Sequence, residues 1–97
     1  MQRDEAINRL RRHEGELKKF GVESLFLFGS TAHDCATDDS DIDLFFDHQK
    51  GTLGLFALME LKERAAAILG RPTDIMTRDS IHPVLRLRVE QSAVRVF

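Results

Sequence analysis

A single cysteine, Cys35, stands in the 97 residues. No disulfide can form within the chain, which fits a reducing cytoplasm. Cys35 has no base partner evident in the sequence and reads as a small packing residue rather than a nucleophile. Long apolar runs are missing, so none approaches the roughly 20 residues needed to span a membrane. The first residues, Met1-Gln2-Arg3-Asp4-Glu5, lack the apolar core of a signal peptide. A cytoplasmic protein without a membrane partner is therefore expected. The four histidines, at 13, 33, 48 and 82, show no pairing at zinc-motif spacing. An excess of positive charge is also missing: Lys plus Arg is 14 and Asp plus Glu is 16, a net charge of −2. Dedicated nucleic-acid binders are usually strongly basic, so stable DNA binding is not expected.

The sign of the charge is uneven along the chain. From Gly29 to Asp47 there are six aspartates and no Lys or Arg. Such a stretch needs a metal before it can accept a triphosphate. The remaining composition is ordinary for a globular protein, with 42% hydrophobic and 31% charged residues. The length suits one domain spanning residues 1–97. A chain of this size buries only about 60–65% of its unfolded surface, so its core is modest.

The stretch that organises the chain is Gly29 to Asp43. The short apolar run Ser24 to Phe28 ends at Gly29 and reads as a buried strand, although periodicity alone also admits a helix. Gly29 permits a sharp turn and a close ligand approach to the backbone. Ser30 to Ala36 can open a short helix whose free N–H groups suit a phosphate, with the Ser30 hydroxyl as a further donor. Asp41 to Asp47 reads as the next strand. Alternation puts Asp41 and Asp43 on one face and Ile42, Leu44 and Phe46 on the other, toward a core. Two neighbouring carboxylates raise each other's pKa unless a cation sits between them. Mg²⁺ is the natural cation, being commonly held by one or two carboxylates plus substrate phosphates. Acidic residues are usually solvated surface, and a Gly-Ser pair alone means nothing. The ordered combination of strand, Gly-Ser, ten residues, Asp-x-Asp and strand is far more specific.

Around this centre the reading is α+β. Asp4 to Phe20 is expected as one amphipathic helix with Ile7, Leu10, Leu17 and Phe20 inward, stopped by Gly21. Its basic run, Arg9, Arg11, Arg12 and His13, reads as a solvated face, with a partner contact as the less favoured alternative. A turn over His48 to Gly51 leads to a helix capped by Thr52 and ended by Gly70. That helix has more apolar residues than one stripe needs. The surplus, Leu55, Phe56 and Met59, either marks a protein interface or belongs to an unusually buried helix. Thr73 to Thr77 is the next strand, with Asp74 and Met76 sharing a face. A last helix, His82 to Gln91, is expected to contribute Val84, Leu85, Leu87 and Val89 to packing, with Pro83 in its first turn. Ala93 to Phe97 adds a short strand or extended tail.

Gly29-Ser30, ten residues, then Asp41-Ile42-Asp43-Leu44 resembles the signature of the polymerase-beta-type nucleotidyltransferase superfamily. At this length the chain resembles the minimal nucleotidyltransferases, commonly paired with a HEPN-domain protein as antitoxin and toxin. The resemblance covers about Leu17 to Phe97, and only the Gly29–Leu44 motif is specific. It implies a small mixed sheet of three or four strands flanked by helices, in the order α-β-(short α)-β-α-β-α. It also implies a third carboxylate on the strand after the central helix. Asp74 is the matching position, while Asp79 competes but falls after the strand.

The implied chemistry is AMP transfer from ATP to a hydroxyl, by analogy a tyrosine of a HEPN toxin. Asp41, Asp43 and Asp74 would bind two Mg²⁺ ions, Gly29 and Ser30 would hold phosphates, and Asp74 would accept the hydroxyl's proton. A homo- or hetero-oligomer is compatible with this. The family usually has Arg-Gly where this chain has His33-Asp34, which removes a permanent cation from the nucleotide site. Two other readings stay open: an antitoxin that neutralises by binding alone, and nucleotidyl transfer to RNA or a small molecule.

Overall fold

The computed structural model describes residues 2–29, 31–33, 41–48 and 54–97. It begins with α1 (Arg3–Arg12) and α2 (Glu14–Lys19), then β1 (Val22–Phe28), a 3₁₀ turn at Thr31–His33 and β2 (Ile42–His48). There follow α3 (Leu55–Leu69), β3 (Thr73–Thr77), a second 3₁₀ turn at Arg78–Ser80, α4 (Pro83–Ser92) and β4 (Val94–Arg95). The fold is α+β, and its sheet is mixed, ordered β3-β2-β1-β4. β1 runs antiparallel to β2 and β4, and β2 runs parallel to β3. The parallel pair needs a crossover, which α3 supplies.

The sheet's two faces differ in chemistry because strand side chains alternate. Leu25 and Leu27 of β1, Ile42, Leu44 and Phe46 of β2 and Ile75 of β3 belong to one core cluster. Ala6, Ile7 and Leu10 of α1, Leu17 of α2 and Leu61, Ala65 and Leu69 of α3 complete it. The opposite face carries Phe26, Phe28, Asp43, Phe45, Asp47 and Asp74. Phe45 is buried there, stacked on Phe26 at 4.8 Å between ring centroids. Phe28 lies tilted against it at 5.6 Å.

Three sequence expectations are corrected. The first helix is not continuous. His13 places its Nδ1 2.9 Å from the Arg9 carbonyl oxygen, while its own backbone N–H donates to Leu10. A side chain competing for an i−4 carbonyl interrupts the ladder and breaks the helix. The basic run is not simply a solvated face either. Arg9 donates to the Leu69 carbonyl at 3.1 Å and Arg11 to the Val96 carbonyl at 2.6 Å. These arginines tie α1 to the end of α3 and to the tail.

The last correction concerns α4, which buries no residue and leaves Val84, Leu85 and Leu87 exposed. Polar groups hold it. His82 caps it by accepting from the Val84 N–H, Arg86 donates to the Asp79 and Ile81 carbonyls, and Glu90 pairs with Arg78 at 3.2 Å.

Two expected elements fall elsewhere or partly out of view. The central helix starts at Leu55 after Gly54, and the expected cap Thr52 lies outside the described residues, as do positions 49–51 of the expected turn. The tail does pair as a strand: beyond β4, Val96 donates to Leu25 and Leu25 to Phe97.

Arg78 fastens the open face. Its Nε and Nη2 donate to both Asp47 oxygens at 2.8 and 2.9 Å. Its guanidinium also lies 4.9 Å from the Phe26 ring and 5.1 Å from the Phe45 ring. Replacing Arg78 with Ala removes a bidentate charged bond and a cation–π contact. The expected cost is about 2–3 kcal/mol by urea unfolding. Arg78→Lys is expected to recover less than half of it, because a point charge cannot form the fork.

Candidate active site

Strand register brings the acidic residues together. Asp43 on β2 is paired with Asp74 on β3, so their side chains leave the sheet on the same face. Asp41 lies one residue before β2 and is exposed, with its chain entering the sheet through the bond from the Ile42 N–H to the Pro72 carbonyl. Across the other neighbour, Asp43 is paired with Phe28 of β1, and Gly29 follows at once.

Gly29 has φ +78°, and a Cβ added there would stand 2.5 Å from Asp43 Oδ2. The turn therefore takes a conformation that suits glycine, and the missing side chain is the space the Asp43 carboxylate uses. Thr31, next in the described chain, is buried, and its hydroxyl has no hydrogen-bond partner among the described residues. Sequence reasoning passed over Thr31. Its only signal was its place after Gly-Ser. Ser30, Asp34 and Cys35 lie outside the described residues.

Asp43 carries the electrostatic consequence. Its pKa is raised from the ordinary aspartate value, first by burial, then by the Asp74 and Asp41 charges. Asp74 is not an isolated charge in a core strand. β3 is an edge strand, Asp74 is exposed, and the Lys62 amine lies 3.9 Å from its Oδ1. Asp79 sits in the 3₁₀ turn after β3, on the far side of the strand from the other carboxylates in sequence order, and does not contribute to the Asp43 shift.

The donor set suits a hard divalent cation: three carboxylates crowd one sheet end, and the central one is held against its charged state. As the side chains stand, no group of three or more His, Cys, Asp or Glu among the described residues is arranged to hold a metal ion. The residue types and charge fit the ion, while the carboxylates would have to draw inward around it.

A cavity of about 700 Å³ opens beside this cluster, lined by Asp41, Thr73 and Asp74 on one side and Met59, Lys62 and Ala66 of α3 on the other. Asp43 and Gly29 are not in its lining, so the cavity flanks the carboxylate cluster rather than enclosing it.

Residues 10–96 match the nucleotidyltransferase domain family. This chain belongs to that family. It is 35% identical over 89 residues to a Methanocaldococcus jannaschii protein named "Putative protein adenylyltransferase MJ0126", with 90% of each chain covered. A solved structure described as a "putative minimal nucleotidyltransferase" superposes with a TM-score of 0.84 at 28% identity, covering 97% of this chain and 95% of the other. A chain from a solved complex described as "tri-AMPylated Shewanella oneidensis HEPN toxin in complex with MNT antitoxin" shares the fold, with a TM-score of 0.65 and 22% identity. That match covers 90% of this chain and 68% of the other. As a member, this nucleotidyltransferase is an enzyme of the nucleotidyl-transferring kind. Among the described residues, no helix is long and apolar enough to cross a membrane.

Two measurements test the site's physics. Gly29→Ala combines a left-handed backbone with a contact on Asp43, so a loss of about 1–3 kcal/mol is expected in urea unfolding at pH 7. Asp43→Asn should do the reverse. With its pKa raised by folding, Asp43 favours the folded state most when protonated, and that contribution is lost as pH rises through its folded pKa. At pH 7 the Asn variant is expected to melt a few degrees above the wild type, with the gap closing below about pH 4. A gap that stays constant across the acid range would contradict this.

Proposed function

We propose that this nucleotidyltransferase is an antitoxin that transfers AMP from ATP to a hydroxyl, a tyrosine's by analogy, on a HEPN-domain toxin. The observation that carries the reading is the pairing of Asp43 with Asp74 in adjacent strands, with Asp41 close enough to act on Asp43 and Gly29 packed beside it. The name of the M. jannaschii relative supports protein AMP transfer. The modified toxin in the Shewanella complex supports the partner class. A reducing cytoplasmic setting is consistent with the lone cysteine.

In the reaction, the acceptor oxygen attacks the α-phosphorus of ATP. A new P–O bond forms to the acceptor, the bond to the β-phosphate oxygen breaks, and pyrophosphate leaves with that electron pair. Asp74, exposed at the sheet edge, accepts the acceptor's proton. Magnesium held by Asp41, Asp43 and Asp74, two ions in the full assignment, would supply charge neutralisation for the triphosphate and a more acidic acceptor hydroxyl. Gly29 and Ser30 would hold the phosphates, through the backbone N–H groups of the turn and the Ser30 hydroxyl. With His33-Asp34 in place of a permanently charged arginine, Lys62 is the cation beside Asp74 that can meet phosphate charge. Most of the rate enhancement would then come from positioning and charge neutralisation.

Asp41→Asn with Asp43→Asn is the deciding variant. With ATP, magnesium and a HEPN toxin, the wild type is expected to add AMP, seen as a mass increase on the toxin. The double variant should transfer at least about a thousandfold more slowly while still forming the complex. Full neutralisation by the double variant without any adduct would instead establish the binding-only antitoxin. Labelled ATP offered to RNA or a small molecule in parallel separates the other acceptors.

A further inference from the structure

The amphipathic pattern of α3 is broken on one flank. Leu55 is 71% exposed, Phe56 81% and Met59 53%. These three lie at i, i+1 and i+4, so they form one patch on the helix surface. Continuing by threes and fours from Met59 leads to Lys62 and Glu63, then to Ala66. Met59, Lys62, Glu63 and Ala66 all line the cavity that Asp41, Pro72, Thr73 and Asp74 close on the other side. The patch and the cavity are therefore one continuous track. It runs along α3 beside the sheet-edge strand β3, about 16 Å from the level of Leu55 to that of Ala66. One end is apolar and the other is bordered by two of the three carboxylates.

We infer that this track is the docking groove for the acceptor protein: an extended, hydroxyl-bearing segment of the HEPN partner lies in it. An apolar side chain of that segment seats on Leu55, Phe56 and Met59, and its hydroxyl reaches Asp41 and Asp74. The inference rests on the functional reading above and adds where the partner binds. Three observations select a protein segment as the occupant. The anchor is apolar, which suits a side chain and not a phosphodiester backbone. The reactive end is acidic, in a chain of net charge −2, which repels RNA. β3 lies at the edge of the sheet, so its outer backbone groups can meet an extended strand. The other exposed apolar strip, Val84, Leu85 and Leu87 on α4, contributes nothing to the cavity lining and serves as the control.

The test measures binding and transfer separately, using the full chain and a HEPN toxin. Leu55→Ser with Phe56→Ser removes only exposed side chains, so an unchanged melting temperature is expected. Affinity by calorimetry should fall at least tenfold, and KM for the toxin should rise to match while kcat at saturating toxin is kept. Val84→Ser with Leu87→Ser should leave both unchanged. Asp41→Asn with Asp43→Asn should abolish transfer and keep affinity. The groove assignment is overturned if the α3 variant binds within twofold of wild type, or if the α4 variant loses affinity as strongly. If the wild type binds no HEPN toxin, the functional reading fails first and takes this occupant with it. If the wild type binds and modifies the toxin while the α3 variant does so equally, only the groove falls.

Discussion

A carboxylate that is disfavoured as an anion stands at the centre of this molecule. Asp43 is partly removed from water, has Asp74 beside it across the parallel pair and Asp41 nearby, and rests its oxygen where a side chain on Gly29 would be. No fold concentrates like charges in this way for its own stability, since each neighbour opposes the ionisation of the next. The arrangement makes sense as a site waiting for positive charge. The rest of the chain can be read as the frame that holds it: a core on one face of the sheet that fixes strand register, and a glycine turn that leaves room at the strand end.

The frame's two faces are stabilised by different means. The helix-covered face is apolar packing of the ordinary kind, with leucines from three helices meeting alternate residues of β1 and β2. Among the described residues, no helix packs a buried apolar stripe on the open face. There Phe26 and Phe45 stack, and Arg78 covers them while gripping Asp47 and Glu90. That arginine also links the sheet to α4, a helix with no buried residue of its own. Among the described residues, Arg78 and α4 lie toward the Asp47 end of this face, and the Asp41 and Asp74 carboxylates at the other end are exposed.

The elements were largely legible from residue order. The strands and the central helix came within a few residues of their bounds because their apolar runs are dense and Gly21, Gly29 and Gly70 punctuate them. The breaks were not legible. The interruption at His13 depends on where one imidazole finds a carbonyl. The exposure of α4 depends on which surfaces the sheet had left to offer, and periodicity measures a helix's own apolar face and not its neighbour's. The arginines of the first helix likewise looked solvated because their carbonyl partners, on Leu69 and Val96, are 60 and 85 residues away.

Residue order alone therefore determined the chemistry on offer: a glycine turn, a pair of aspartates at alternate positions, a third on a later strand, and no cation among them. Those are properties of short segments, set by side-chain alternation and backbone freedom. Tertiary structure decided proximity. Parallel pairing of β2 with β3 put Asp74 next to Asp43, and the packing of α3 along that edge set an exposed apolar strip in line with the carboxylates. Neither follows from spacing along the chain, because strand register and helix rotation are settled by which apolar faces can be buried together.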